Sequence, residues 1–249
     1  SAPDALATLA VESVNLASKN SNVRMLLNLA KAEEIAYVEK DFPSDLAMLQ
    51  ASAWVKTERE AAKAHVVFLL TTIDDYCGLS DVVLADKNTA FAVINYICAV
   101  GNFSLAHEFG HLLGLRHERG VDDSDKPFRN GHGYVYKNEW RTIMATRKAC
   151  ASCPRIPFWS NPSVNYNGVP AGTRDYEDEA DVINDTAAII AGLGIHHRLI
   201  AIGEVFGVQK VGKELSGGDG SQRTAQNIGC IAAPGDLIGL NIPVISGLT

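Results

Sequence analysis

The spacing of apolar and polar positions divides the chain into distinct elements. Residues 4–20 set Leu6, Leu9, Ala10, Val14 and Ala17 at steps of three and four, which predicts an amphipathic helix. Over residues 22–39 the pattern turns strand-like, with apolar runs in VRMLLNLA and EEIAYVE. Pro43-Ser44-Asp45 reads as a helix start, and residues 45–62 carry Leu46, Leu49, Ala53 and Ala61 on one face. AHVVFLLTTI, residues 64–73, is a nearly continuous apolar run of the kind a central strand shows. GLSDVVLA predicts a second strand beside it, and AFAVINYICAV, residues 90–100, a third. A helix is expected to open near Asn102 or Ser104. Residues 118–175 lack periodicity and are rich in Gly, Pro and Asn; so long an irregular stretch within a domain usually carries function. Residues 176–191 return to helical spacing through Ala180, Ile183, Ala187 and Ile190. From Gly192 onward composition shifts to Gly, Ile and Val, with GGDGS at 217–221. The expected organisation is a domain over residues 1–194 and a tail over 195–249 whose role is open, extra strands for the same domain being one option.

The 249 residues suffice for one large domain or a domain with an appendage. A 47% hydrophobic and 20% charged composition is that of an ordinary globular protein, and no apolar run is long enough to span a membrane. A net charge of −7 argues against nucleic acid as a partner, since phosphates need a basic face. The opening SAPDALATLA lacks the basic and apolar regions of a signal peptide and resembles a trimmed, mature form. The five cysteines are Cys77, Cys98, Cys150, Cys153 and Cys230; the odd number leaves at least one free or paired outside the chain. Cys150 and Cys153 form a C-x-x-C, which raises a second zinc site or a redox pair. A zinc ribbon needs another such pair and a redox motif belongs beside a βαβ unit, so an oxidised, secreted protein is the favoured reading.

The sharpest chemistry lies in HEFGHLLGLRH, residues 107–117. On a helix His107 and His111 stack on one face, so their imidazoles can reach one tetrahedral ion at about 2.0–2.1 Å. Glu108 is rotated by about 100° from His107, close to the metal but poorly placed to ligate it. There it can act as general base toward a water. Gly114 permits a sharp turn that returns His117 as third ligand and leaves a fourth position open, the arrangement of a catalytic rather than a structural zinc. A chance coincidence of three histidines and a glutamate on an exposed helix is the bland alternative, and the added glycine and third histidine make it a poor one.

This motif, followed by Met144 in TIMAT twenty-seven residues after His117, resembles the metzincin signature with its methionine turn. IDDYCGLSDVVLA, FSLAHEFGHLLGLRHE, GHGYVY, WRTIMA and CPRIPFWSNP together resemble the bacterial peptidyl-Asp metallopeptidases, relatives of the reprolysins, over residues 5 to 190. The resemblance implies a metzincin α/β domain: a twisted, mostly parallel sheet with one antiparallel edge strand, packed helices, and an irregular lower part below a cleft. It implies one catalytic zinc, with the zinc helix near residues 103–114 and the Met-turn near 142–146. It also implies Met144 beneath the histidines, a Cys77–Cys98 disulfide, and hydrolysis of protein or peptide substrates on the amino side of acidic residues. The short Cys150–Cys153 loop is the more strained candidate for a second disulfide. Substrate is expected to lie extended along Leu79, Val82 and Val83, the family's edge strand. The pocket past the scissile bond falls in residues 146–166, where Arg147, Lys148 and Arg155 are the cations. Arg155 is the choice among them because Ile156, Phe158 and Trp159 would shield its pairing with a carboxylate, and Arg174 is the second candidate. Three departures stand out. Glu118 replaces the usual Asp after the third histidine, no Tyr follows Met144 by two residues, and the family's first strand does not precede the opening helix, so either processing removed it or the tail replaces it.

Weaker constellations remain. His65, His132, His196 and His197 complete no metal set and read as satisfied or exposed histidines. Asp122, Asp123 and Asp125, or the acidic group from Asp175 to Asp185, offer carboxylates of the kind calcium takes, without EF-hand spacing. No G-x-S-x-G elbow or phosphate loop is present. The rival from another class is a zinc-bearing binding or effector module, against which Glu108 counts because a structural metal needs no adjacent base.

Overall fold

Alternation along two fully buried strands, β2 (Val67–Thr71) and β4 (Phe91–Asn95), sorts the core into two layers. The computed structural model describes residues 2–194 and 238–247. On one side Phe68, Leu70, Ala92 and Ile94 pack with residues of α1 (Ala2–Asn20), α5 (Ser104–Leu112) and α6 (Glu179–Ala191). On the other, Val67, Leu69, Phe91 and Val93 pack against Phe42, Leu46 and Leu49 of α2 (Phe42–Ala51) and Val55 of α3 (Ala53–Ala61). Burial of each large side chain here contributes about 1.5–3 kcal/mol. The result is a mixed α/β fold with helices on both faces of a sheet.

The sheet has five strands in the order β1 (Met25–Ile35), β9 (Ile238–Gly247), β2, β4 and β3 (Gly78–Ser80). The first four are mutually parallel, and β3 runs antiparallel along β4 as the edge. Strand β9, the described part of the tail, lies between β1 and β2, with Met25 opposite Ile238 and Phe68 opposite Val244. Ser1, residues 195–237 and residues 248–249 lie outside the described residues, and with them Cys230, His196, His197 and the GGDGS segment.

Three elements differ from the pattern expected above, each for a local reason. The helix expected over 45–62 is two, because Ser52 is extended (ψ 117°) and its Oγ accepts from Val55 N to start α3. The strand expected over 90–100 stops at Asn95. The side-chain oxygen of Asn95 accepts from Ile97 N (2.8 Å) and Cys98 N (3.3 Å), and this turn starts the short helix α4 (Cys98–Gly101). The strand expected through GLSDVVLA ends at Ser80. Beyond it the chain leaves the sheet, and the amides of Leu84 and Ala85 bond the carbonyls of His111 and Leu112 at the end of α5 (both 2.9 Å).

The stretch expected to be irregular contains two hairpins, β5 (Val135–Tyr136) with β6 (Trp140–Arg141) and β7 (Asn161–Tyr166) with β8 (Val169–Ala171). Trp140 contacts the rings of Tyr134, Tyr136 and Tyr166, which gives this lower part its own small core. It is tied to the end of α1: Ser21 Oγ accepts from Trp159 N (2.8 Å) and donates to Trp159 O (3.1 Å). Asn161 Nδ2 donates to Ser21 O (2.8 Å).

At the start of α6, Glu179 is fully buried; one carboxyl oxygen accepts from Ser160 N (2.6 Å) and the other has no partner. Burial pushes its pKa from 4.5 up to about 8. Below pH 4.5 both folded and unfolded chains carry the proton. Between about 4.5 and 8 only the unfolded chain gives it up, so stability falls with rising pH by up to about 1.4 kcal/mol per pH unit and levels off above 8. Glu179→Gln should remove that slope. Melting temperatures of the variant should gain on the wild type between pH 5 and 8; a difference constant with pH would refute a neutral, buried Glu179.

Candidate active site

Helix α5 is almost wholly buried because Leu105, Ala106, Phe109 and Leu112 face the core. Its opposite face carries His107 and His111 one turn apart. The helix ends in a Schellman turn: Leu115 N donates to Gly110 O and Gly114 N to His111 O (both 2.9 Å), with Gly114 at φ 101°, a backbone that favours glycine. That turn sends the chain back and delivers His117. Its Nε2 lies 3.1 Å from Nε2 of His107 and 3.1 Å from Nε2 of His111.

The other ring nitrogens fix the tautomers. His107 Nδ1 faces Ile143 O and His111 Nδ1 faces Leu115 O, each at 2.9 Å; a carbonyl only accepts, so each Nδ1 carries the proton and each Nε2 presents a bare lone pair. Burial lowers the pKa of all three imidazoles, His107 well below its usual value, His111 to about 4, and His117 also downward, which favours the neutral, ligating form. The bare lone pairs of His107 and His111 both point toward His117 Nε2, the place where a shared cation would draw all three rings. The three ligand atoms, all within 4.8 Å of one another, can hold one metal ion.

Glu108 points from the same helix to the edge strand. Its Oε2 accepts from Ser80 Oγ (3.0 Å), and burial raises its pKa to about 7 while the Ser80 bonds oppose that rise. The strand lies so close that a Cβ on Gly78 would come within 2.7 Å of Glu108 Oε1, so glycine is required there by proximity. Met144 is buried under α5; a Cβ on Gly110 would meet its sulfur at 2.4 Å, which makes this glycine the seat of the methionine. Gly133 abuts the backbone of Ala145 in the same way. Glu118 bonds the end of the turn with both oxygens, from Thr146 N and from Thr146 Oγ1 (2.7 Å each), so the longer side chain still reaches the Met-turn. Ser80, Gly78, Gly110 and Gly133 lie within the segments that carry the resemblance, but the sequence assigned them no role, because that role is one of contact across distant segments.

The remaining predicted residues are placed as follows. Leu79 is in β3, whereas Val82 and Val83 lie past its end in half-buried, irregular chain. Arg155 is half-buried, its charge felt at Glu108 and His107, with its Nη1 donating to Asn102 O (2.7 Å) and its Nη2 to Ala145 O (3.2 Å). Arg147 and Lys148 are exposed, as is Arg174, whose charge is felt at Asp178. Cys77–Cys98 and Cys150–Cys153 are both disulfides, with Cα separations of 5.4 and 5.5 Å. His65 and His132 are buried; both ring nitrogens of His132 face carbonyls, His117 O at 2.7 Å and Ser124 O at 3.1 Å, so it braces the third histidine's loop. The acidic loop is spent on its own arginines, Arg116 with Asp122 and Arg119 with Asp125, and the triad is the one metal-sized ligand group among the described residues.

A buried helix carrying two histidines, a third returned by a glycine turn and a methionine underneath make up one candidate metal centre. The model described as metallo-peptidase family M12B reprolysin-like matches residues 5–118. A peptidyl-Asp metalloendopeptidase of Xanthomonas campestris pv. campestris is 42% identical over 193 residues, covering 75% of this chain and 46% of that protein. One of Stenotrophomonas maltophilia is 39% identical over 196 residues, covering 75% and 47%. One of Pseudomonas fragi is 39% identical over 123 residues, covering 49% and 77%. The chain belongs to the peptidyl-Asp metalloendopeptidase family. It spans about half the length of the first two relatives. A solved structure titled as a chaperone-substrate complex shares the fold, with a TM-score of 0.55 at 22% identity over 75% of this chain and 34% of that one.

Proposed function

We propose that this chain is a secreted zinc endopeptidase that cuts peptide bonds on the amino side of acidic residues. The observation that carries the reading is the convergence of three imidazole nitrogens, those of His107 and His111 bare, beside a buried carboxylate that does not join them. His107, His111 and His117 would hold zinc, whose chemistry when bound is to acidify water and polarise the scissile carbonyl. Glu108 takes the proton of the attacking water and passes it to the leaving amine, and a carboxyl titrating near 7 suits both transfers. Met144 supports the histidines from below. No strand covers the outer side of β3 among the described residues, so a substrate can add there antiparallel, with main-chain bonds at Leu79 and a path that continues over Val82 and Val83. Secretion is supported by two disulfides and by no described helix being long and apolar enough to cross a membrane.

Acid specificity is assigned to Arg155. Its charge is the strongest felt at His107, and it reaches from the segment ahead of α5 to the Met-turn. Profiling a peptide library tests both halves of the proposal. Cleavage should stop with a chelator, return with zinc, and fall before acidic residues in the wild type, while Arg155→Ala should lose that preference. Chelator-insensitive cleavage would overturn the zinc mechanism. An unchanged acid preference in Arg155→Ala would clear that residue of the role.

A further inference from the structure

The three histidines of the triad are not held alike. His107 and His111 each tie Nδ1 to a carbonyl, of Ile143 and of Leu115, and a bond of that kind fixes the orientation of a ligand ring. Among the described residues the ring of His117 has no such bond; its polar contacts are those of Nε2 with the other two histidines. Nor does it ride on α5. Its place depends on main chain that has left the helix through the turn at Gly114.

That main chain is clamped by residues 131–133. Arg116 N donates to Gly131 O (2.7 Å) and Gly133 N to Arg116 O (3.1 Å), a parallel bridge that sets His132 beside Arg116. From there the His132 ring reaches forward, Nδ1 lying 2.7 Å from His117 O and Nε2 3.1 Å from Ser124 O. His132 is itself fixed from behind. It is fully buried, its N donates to Tyr176 O (3.1 Å), and its O accepts from Ser160 Oγ (2.8 Å). Ser160 Oγ in turn accepts from Glu179 N (3.0 Å) at the start of α6. The ring is thus anchored to the body of the domain, and the carbonyl of the third histidine meets the ring.

A neutral imidazole has one N–H, and both of its neighbours here only accept, so one of the two contacts can be its hydrogen bond. The shorter contact, to His117 O, takes it. Holding that carbonyl fixes the peptide that follows His117, and with it the direction in which Cβ carries the imidazole. We infer that His132 is a positioning residue for the metal: its Nδ1–H holds the third ligand through the main chain, as Ile143 and Leu115 hold the other two through their rings. This rests on the reading of the triad as a zinc site. It makes zinc affinity depend on a residue that touches neither the metal nor a ligand ring.

The experiment measures zinc affinity, by competition with a chromophoric chelator, and the Tm of the metal-free protein for wild type, His132→Asn, His132→Gln and His132→Phe. His132→Asn sets an amide N–H where Nδ1 stands, His132→Gln sets one where Nε2 stands, and His132→Phe offers neither. His132→Gln and His132→Phe should bind zinc more weakly by about 10-fold or more, the cost typical of losing an outer partner of a metal ligand. His132→Asn should stay close to wild type, even with a lowered Tm. If His132 were merely structural, the loss of affinity would follow Tm across all three variants, and that result overturns the inference. Wild-type affinity in His132→Gln with weakened binding in His132→Asn also overturns it, by moving the working bond to Ser124 O. Wild-type affinity in all three variants does the same. Should the variants fail to fold, proton–nitrogen NMR of the wild type reports the tautomer of His132, and an Nδ1 without a proton is the overturning result. A wild type that binds no zinc would sink the metal reading and this inference with it, whereas the split between the variants tests the inference alone.

Discussion

Glu108→Gln should abolish peptide hydrolysis while leaving zinc bound. The substitution is nearly isosteric, and glutamine's amide oxygen can still accept from Ser80 Oγ, so the carboxamide keeps its place against Gly78 and the edge strand. None of the converging histidine nitrogens is touched. What disappears is a group that can take a proton and return it. One such group is typically worth about 10²–10⁴-fold, and because Glu108 is assigned both transfers, the loss should fall at the upper end or beyond. Metal analysis of the purified variant beside its turnover number checks this. Near-normal turnover with zinc confirmed would falsify the role.

How much of this site the sequence discloses depends on how local each feature is. The histidine pair, the glutamate between them and the returning glycine sit within one helix and its C-terminal turn, where spacing alone sets geometry. The central strands β2 and β4 are similarly legible, since a strand buried on both faces must be apolar throughout. The places where elements stop are not legible in this way. Asn95 ends β4 by turning its side chain onto two following amides, Ser52 divides a helix by its hydroxyl, and Leu84 leaves the sheet to bond the end of α5. Each competes with a propensity that would have continued the element, and only the tertiary contact decides. The place of β9 between β1 and β2 is further out of reach, because it pairs segments from opposite ends of the described chain.

Contact explains what the motif leaves blank. Gly110 and Gly133 are unremarked positions in sequence, yet a Cβ at either would strike Met144 or the backbone behind it. Glu118 departs from the residue usual after the third histidine, and its bidentate grip on Thr146 shows that an extra methylene is absorbed without loss of the link to the Met-turn.

His117→Ala should cost the protein its metal. His107 and His111 are held rigidly by one helix and by carbonyls of Ile143 and Leu115, and they should survive the change in place. Two imidazoles are one ligand short of the set a catalytic zinc requires, and the alanine leaves no donor within reach, since the described residues offer no other group of this kind at the triad. Losing an outer partner of a metal ligand already costs about 10–100-fold in affinity or activity, so losing the ligand itself should cost more. The third histidine is also the one whose position depends on the turn at Gly114 and on His132 holding its carbonyl, so its loss should leave the fold of α5 intact while emptying the site. Dialysed His117→Ala should therefore show zinc far below one per chain, with peptidase activity lost in step and near-unchanged helical content. Full zinc and full activity in that variant would mean that another residue supplies the third ligand.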